Sequence, residues 1–225
     1  MAGKKKYPNF MSPKGVAKYT HLTQPQSYQG KVSYTTELLL NPELQSTKDF
    51  LAFLDQKEQE GFTEAKKMSP KAVLKSKLYK DDTYKDDEDN LIPTGKISVK
   101  FAHTAGGTKK DGSIWTFTPT LIDANMEPIP KGVVIFGGSQ IKVSFGITYT
   151  TMPGGGKGEE KEPDKFYAKA SLQGVQVIQL GSSVRDGASL GFTKVEGYSA
   201  TDAFGEPDKA EEGAEASTDA ATPDF

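Results

Sequence analysis

The sequence predicts a mainly β fold, a small barrel with a helical segment set into it. Three features predict it. Runs of alternating apolar and polar residues, rich in Val, Ile, Tyr, Phe and Thr, recur along the chain. The 23 Gly and 13 Pro fall mostly between these runs, which suits strands and turns better than a helical bundle. One stretch, from Leu44 to Gly61, instead spaces its apolar residues at a helical period.

Residues 1–15 read as a flexible basic arm carrying Lys4, Lys5, Lys6 and Tyr7. Val16–Thr23 alternate and read as a strand, and Gly30–Leu40 as a second, rich in β-branched residues; Asn41-Pro42 ends it. Leu44, Phe50, Leu51, Phe53 and Leu54 then mark a helix expected to end near Gly61. Thr63–Lys77 reads as a second helical stretch, with Pro70 as a break or first-turn residue. Lys80–Asn90, crowded with Asp81, Asp82, Asp86, Asp87, Glu88 and Asp89, reads as a solvated loop.

The second half reads as β. Lys96–Ala102 alternate, with Val99 and Phe101 on the face expected to be interior and Lys96, Ser98 and Lys100 outward. Ala105–Gly112 reads as a turn into Ile114–Ile122, giving a hairpin with a long basic tip, Lys109 and Lys110. Asp123-Ala124-Asn125 turns the chain again. Gln140–Thr150 put Ile141, Val143, Phe145, Ile147 and Tyr149 on one face. Met152–Glu160 reads as a flexible Gly-rich loop, and Phe166–Leu180 as the last strand, kinked at Gly174. The predicted architecture is a five-stranded OB-type barrel over residues 16–205, with an inserted helical region. A disordered acidic tail over 206–225 follows.

That tail carries seven carboxylates (Glu206, Asp208, Glu211, Glu212, Glu215, Asp219, Asp224) against one cation, Lys209, and has almost nothing apolar to bury. It ends in Phe225. Without it, the 28 basic and 30 acidic residues become 27 and 23, so a chain of net charge −2 contains a body of net charge +4. An anionic arm tipped by a ring imitates a short single strand of nucleic acid, its carboxylates standing for phosphates and its ring for a base.

Other chemistries fit poorly. Gly187-Ala188-Ser189-Leu190-Gly191 has the spacing of a nucleophile elbow, but His21 and His103 both precede it and no His follows. Gly154–Gly158 with Lys157 lacks the Ser or Thr that a phosphate loop needs after its Lys. Two His and no Cys do not make a structural zinc site. The Asp81–Asp89 cluster lacks a calcium-loop register. No run of about 18 apolar residues exists, and no secretory leader is visible, so an intracellular, cytoplasmic protein without cofactors is expected.

One constellation remains: Lys and aromatic residues interleaved on strands, which is what sequence-tolerant single-strand binding uses. The candidates are Tyr7, Lys96, Lys100, Lys109, Lys110, Trp115, Lys142, Tyr149, Lys165, Tyr167 and Lys169. Phe101, Phe117 and Phe145 read as core before ligand platforms, and Trp115 and Phe117 share a parity that faces either core or ligand. Tyr149, at a strand end beside a loop, is the better stacking candidate, and Tyr167 is similar.

Three segments carry a resemblance. Gly137-Gly138-Ser139-Gln140-Ile141-Lys142-Val143-Ser144-Phe145 follows Leu121-Ile122-Asp123 and Met126-Glu127-Pro128-Ile129-Pro130; Leu172–Leu180 forms the final strand; and the acidic tail ends Asp224-Phe225. In these the chain resembles the single-stranded DNA-binding proteins of tailed phages. The resemblance implies an OB-fold protein that coats single-stranded DNA in replication, recombination and repair, and a capacity to form a homodimer. It also implies a tail that contacts DNA polymerase and helicase-primase, here through Glu211, Glu212, Glu215, Asp219, Asp224 and Phe225. It places Tyr149 near a stacking tyrosine and Tyr7 near an N-terminal aromatic. This tail is less densely acidic than the family's. The alternative is a virion-type β-domain with no nucleic-acid affinity, and the sequence does not separate DNA from RNA.

Overall fold

The computed structural model describes residues 8–156 and 162–181. Tyr7 with the Lys4–Lys6 arm, the end of the Gly-rich loop, and the whole acidic tail lie outside the described residues. The chain divides into two compact units, Met1–Val184 and Arg185–Phe225, and every described residue belongs to the first.

Among the described residues eleven strands and one helix follow in order: β1 (Phe10–Met11), β2 (Gly15–Tyr28), β3 (Lys31–Leu40), α1 (Gln45–Met68), β4 (Val73–Ser76), β5 (Tyr79–Lys85), β6 (Leu91–Thr104), β7 (Gly106–Thr108), β8 (Ile114–Thr116), β9 (Thr120–Ile122), β10 (Gln140–Met152) and β11 (Lys165–Gln179). Five of them close a barrel. β2 pairs β3, β3 pairs β6, β6 pairs β11 in parallel, β11 pairs β10, and β10 returns to β2 through Gln140 opposite Val16. Closure removes the open edges that a sheet of this length would otherwise expose.

Alternation builds the interior. Val99 and Phe101 of β6, Ile141, Val143, Phe145 and Ile147 of β10, and Phe166 and Leu172 of β11 are all buried, as their shared parity requires. Phe101 and Phe145 meet edge to face at 5.1 Å. Each such ring contributes about 2–3 kcal/mol by leaving water. Ser98 keeps the outward parity but is buried, its hydroxyl donating to Glu37 Oε2 at 2.9 Å.

The helix differs from its expectation. α1 runs unbroken through Gly61 to Met68 and stops before Pro70, and the residues after Pro70 form β4 rather than more helix. Its buried side is Thr47, Phe50, Leu54, Glu58, Gly61 and Ala65, spaced three and four apart along one stripe. Gly61 is there for packing. A Cβ at that position would sit 2.4 Å from the Tyr149 ring.

Three other segments are corrected. Phe10–Met11, read as part of the arm, is strand β1 on the edge of β10, and Phe10 packs on Phe53 at 4.9 Å. The acidic Lys80–Asn90 stretch is mostly strand: β5 pairs with β6, and only Asp86–Asn90 form the turn. Asp82 is buried there because Lys18 of β2 binds it at 2.6 Å and Thr94 donates to it at 2.9 Å. The Ile114–Ile122 run is two strands. β8 pairs β7 in a separate ribbon, and β9, after Pro119, joins β11 in parallel. Proline has no N–H to give a ladder, which divides the run. The predicted kink at Gly174 coincides with a register shift opposite Ser144 and Phe145, where a Cβ would lie 2.9 Å from the Thr120 carbonyl oxygen.

Candidate nucleic-acid interface

The site begins with one edge of β11. Its other edge is filled by β10 along its length. On the near edge β4 pairs as far as Tyr167, β6 joins at Ala170, and β9 follows from Gly174. Between β4 and β6 the backbone of Ala168 and Lys169 has no ladder partner on that side among the described strands. The result is a groove of about 500 Å³.

Its composition is one-sided. Lys77 from the β4–β5 connection, Lys100 from β6 and Lys169 from β11 line it, together with His103 and Trp115. Among the described residues, no carboxylate lines it. The grooves beside α1 are different in kind, because Glu60 lines each of them.

An aromatic stack supports the Trp115 side. His103 lies flat on Phe117, ring centres 3.7 Å apart at 26°, and meets Trp115 edge-on at 6.1 Å. Phe117 in turn meets Tyr34 at 6.2 Å. His103 Nδ1 is 2.8 Å from the Thr104 carbonyl oxygen, so Nδ1 carries the proton and donates. That bond fixes the ring plane against Phe117. Gly107 opposite Trp115 lets the indole lie close to the ribbon backbone, where a Cβ would come within 3.1 Å of Nε1.

The sequence-derived candidates separate into two sets. Lys100, Trp115 and Lys169 come together in the groove. Tyr167 lies on the same outward face of β11 as Lys169, about 7 Å along the strand. Lys109 and Lys110 are exposed at the tip of the β7–β8 ribbon that carries Trp115. The others lie elsewhere. Lys96 is exposed about 13 Å down β6 from Lys100. Lys142 is half-buried opposite Gln176. Lys165 is ion-paired to Glu162 at 2.7 Å, which raises its pKa.

Tyr149 is held against α1. Its hydroxyl donates to the Lys57 carbonyl oxygen at 2.7 Å, and its ring lies between Gly61 and Phe166, stacked on the latter at 5.8 Å. Burial, then the charges of Glu60 and Glu58, push its phenol pKa up. The sequence-derived candidates do not include Lys77 or His103. Lys77 ends an ordinary Lys75-Ser76-Lys77 run, and His103 sits one residue past the segment whose alternation is clear.

Among the described residues no group of three or more His, Cys, Asp or Glu side chains is placed to hold a metal ion. Nor is any helix there long and apolar enough to cross a membrane.

A closed five-stranded barrel with a cation-lined, aromatic-walled groove is the class of structure at hand. Its fold is similar to that of gp2.5, the single-stranded DNA-binding protein encoded by bacteriophage T7. The TM-score is 0.62 at 16% identity, over 87% of this chain and 100% of that one. A looser match is the single-stranded DNA-binding protein of bacteriophage Enc34 in complex with ssDNA, with a TM-score of 0.45 at 16% identity, over 77% and 88%. No protein-family model matches the chain, and no curated protein matches its sequence.

Proposed function

We propose that this chain is a non-catalytic single-stranded DNA-binding protein whose groove beside β11 holds the strand. The observation that carries the reading is the groove's lining: Lys77, Lys100 and Lys169 with Trp115 and His103, and no carboxylate among the described residues. Lysines neutralise phosphates and release counterions, a term that falls steeply with salt. An indole stacks on any base, which makes the binding tolerant of sequence. Likeness of fold to the phage protein above supports the same reading. In that role the protein coats single strands during phage replication, recombination and repair in the host cytoplasm. The tail over 206–225 competes for the groove when DNA is absent and recruits polymerase and helicase-primase when DNA fills it.

The test is fluorescence anisotropy of a labelled poly-dT oligonucleotide with duplex competitor. The expected result is tight binding to the single strand, weakened by salt and weakened further when Lys100 and Lys169 are both changed to Glu. No binding by the intact protein would remove nucleic acid and leave a virion-type structural role. Equal binding of poly-U would remove the preference for DNA.

A further inference from the structure

We propose that the break in the β11 edge is a pocket for one everted base, rather than part of a flat stacking track; this rests on the single-strand reading above. The break runs from Tyr167, where β4 leaves, to Ala170, where β6 begins, about 10 Å along the strand. Its floor is small: Ala102 faces Ser171 across the β6–β11 register, and neither is fully buried. Ala168 and Ala170 back the groove from beneath, buried as their core parity requires, and add no bulk to it. A cavity of about 500 Å³ with this floor accommodates a nucleotide-sized ligand.

Each wall matches one part of a nucleotide. Trp115, braced edge-on by His103, supplies the stacking face. Side-chain alternation on β11 means that one of Ala168 and Lys169 turns its N–H and C=O toward the break. Those groups meet the hydrogen-bonding edge of a base, which is free in a single strand and occupied in a duplex. Lys77, Lys100 and Lys169 ring the opening, where the flanking phosphates pass. A base held in a duplex reaches such a pocket only by leaving its stack, which costs a few kcal/mol. The pocket therefore selects single strands without reading their sequence through side chains.

The experiment fills the floor and leaves every cation and ring in place. Ala102→Leu in the full-length protein is titrated against poly-dT and against an oligomer of the same length made of abasic deoxyribose-phosphate units. The expected result is a loss of at least about tenfold on poly-dT, within what one stacked base contributes, and no change on the abasic strand. Ser171→Leu fills the pocket from β11, opposite Ala102 in the register, and should reproduce this if Ala102→Leu does not fold. If the filled variants bind poly-dT as tightly as the natural sequence, the pocket is refuted while single-strand binding stands. If the natural sequence binds neither strand, the parent reading fails and the pocket with it.

Discussion

Trp115 and Tyr149 are both strand aromatics, and their surroundings differ. Trp115 is partly exposed, lines a groove with three lysines, meets His103 edge-on and lies close to Gly107 of the ribbon. Trp115→Ala should lower affinity for poly-dT by about 1–3 kcal/mol, with Trp115→Phe retaining most of it and neither changing thermal stability much. Anisotropy and a melting curve on the same samples check this. Tyr149 has its hydroxyl and one ring face engaged by α1 and Phe166. Tyr149→Phe should cost about 1 kcal/mol of stability from the lost hydrogen bond and leave DNA affinity unchanged. If urea midpoints stay fixed and affinity falls instead, Tyr149 is a ligand contact. The sequence shows both residues as aromatics near Lys. It does not show that Gly61, 88 positions earlier, clears a seat for one of them.

At the scale of elements, what the sequence made legible is what local alternation controls. The five barrel strands and the interior faces of β6 and β10 follow from period-two patterning, because one face of each is sealed in the barrel. The errors come from contacts with residues far along the chain. Gly61 resembles a helix end but is a packing position, and Asp82 resembles solvated charge but is buried by Lys18, 64 residues away. The groove was legible only in part for the same reason. Lys100 and Lys169 are visible as outward residues, but nothing local says that β4 and β6 leave a break between them. The Lys18–Asp82 pair has a pH signature. Burial pushes the Asp82 carboxyl up, but hydrogen bonds from Lys18 and Thr94 more than offset this, and its pKa ends below the usual range. A lowered folded-state pKa stabilises above the unfolded value near 3.8 and is lost as pH falls through the folded one. Asp82→Asn should cost about 3 kcal/mol at neutral pH, since Lys18 keeps its charge without a partner, and should remove that acid-side loss from the urea midpoint. Glu58 has the opposite sign. Burial raises its pKa against the hydrogen bond from the Leu78 N–H, so the folded state holds that proton more tightly than the unfolded chain. Its contribution therefore grows as pH falls through the folded value. Glu58→Gln keeps an acceptor for Leu78 and should flatten that dependence without lowering stability at pH 7.

For the whole molecule the governing quantity is the division of charge between body and tail. A net charge of −2 for the chain argues against binding a polyanion, whereas the +4 of residues 1–205 permits it. The tail's seven carboxylates and the groove's three lysines have opposite signs, so the competition proposed above is electrostatic. Such competition is screened over a Debye length of about 10 Å at 0.1 M salt and about 3 Å at 1 M. Deleting 206–225 should therefore tighten poly-dT binding most at low salt, with the two affinity curves converging as salt rises. The slope of log affinity against log salt should also become steeper, because the intact protein releases its own tail in place of some counterions. Each groove lysine that meets a phosphate adds about −0.7 to that slope on a single strand. Changing Lys100, Lys169 and Lys77 in turn should then reduce the truncated protein's slope in steps of about that size. Parallel lines for intact and truncated protein at every salt would mean that the tail does not enter the groove, and its role would then lie wholly with protein partners.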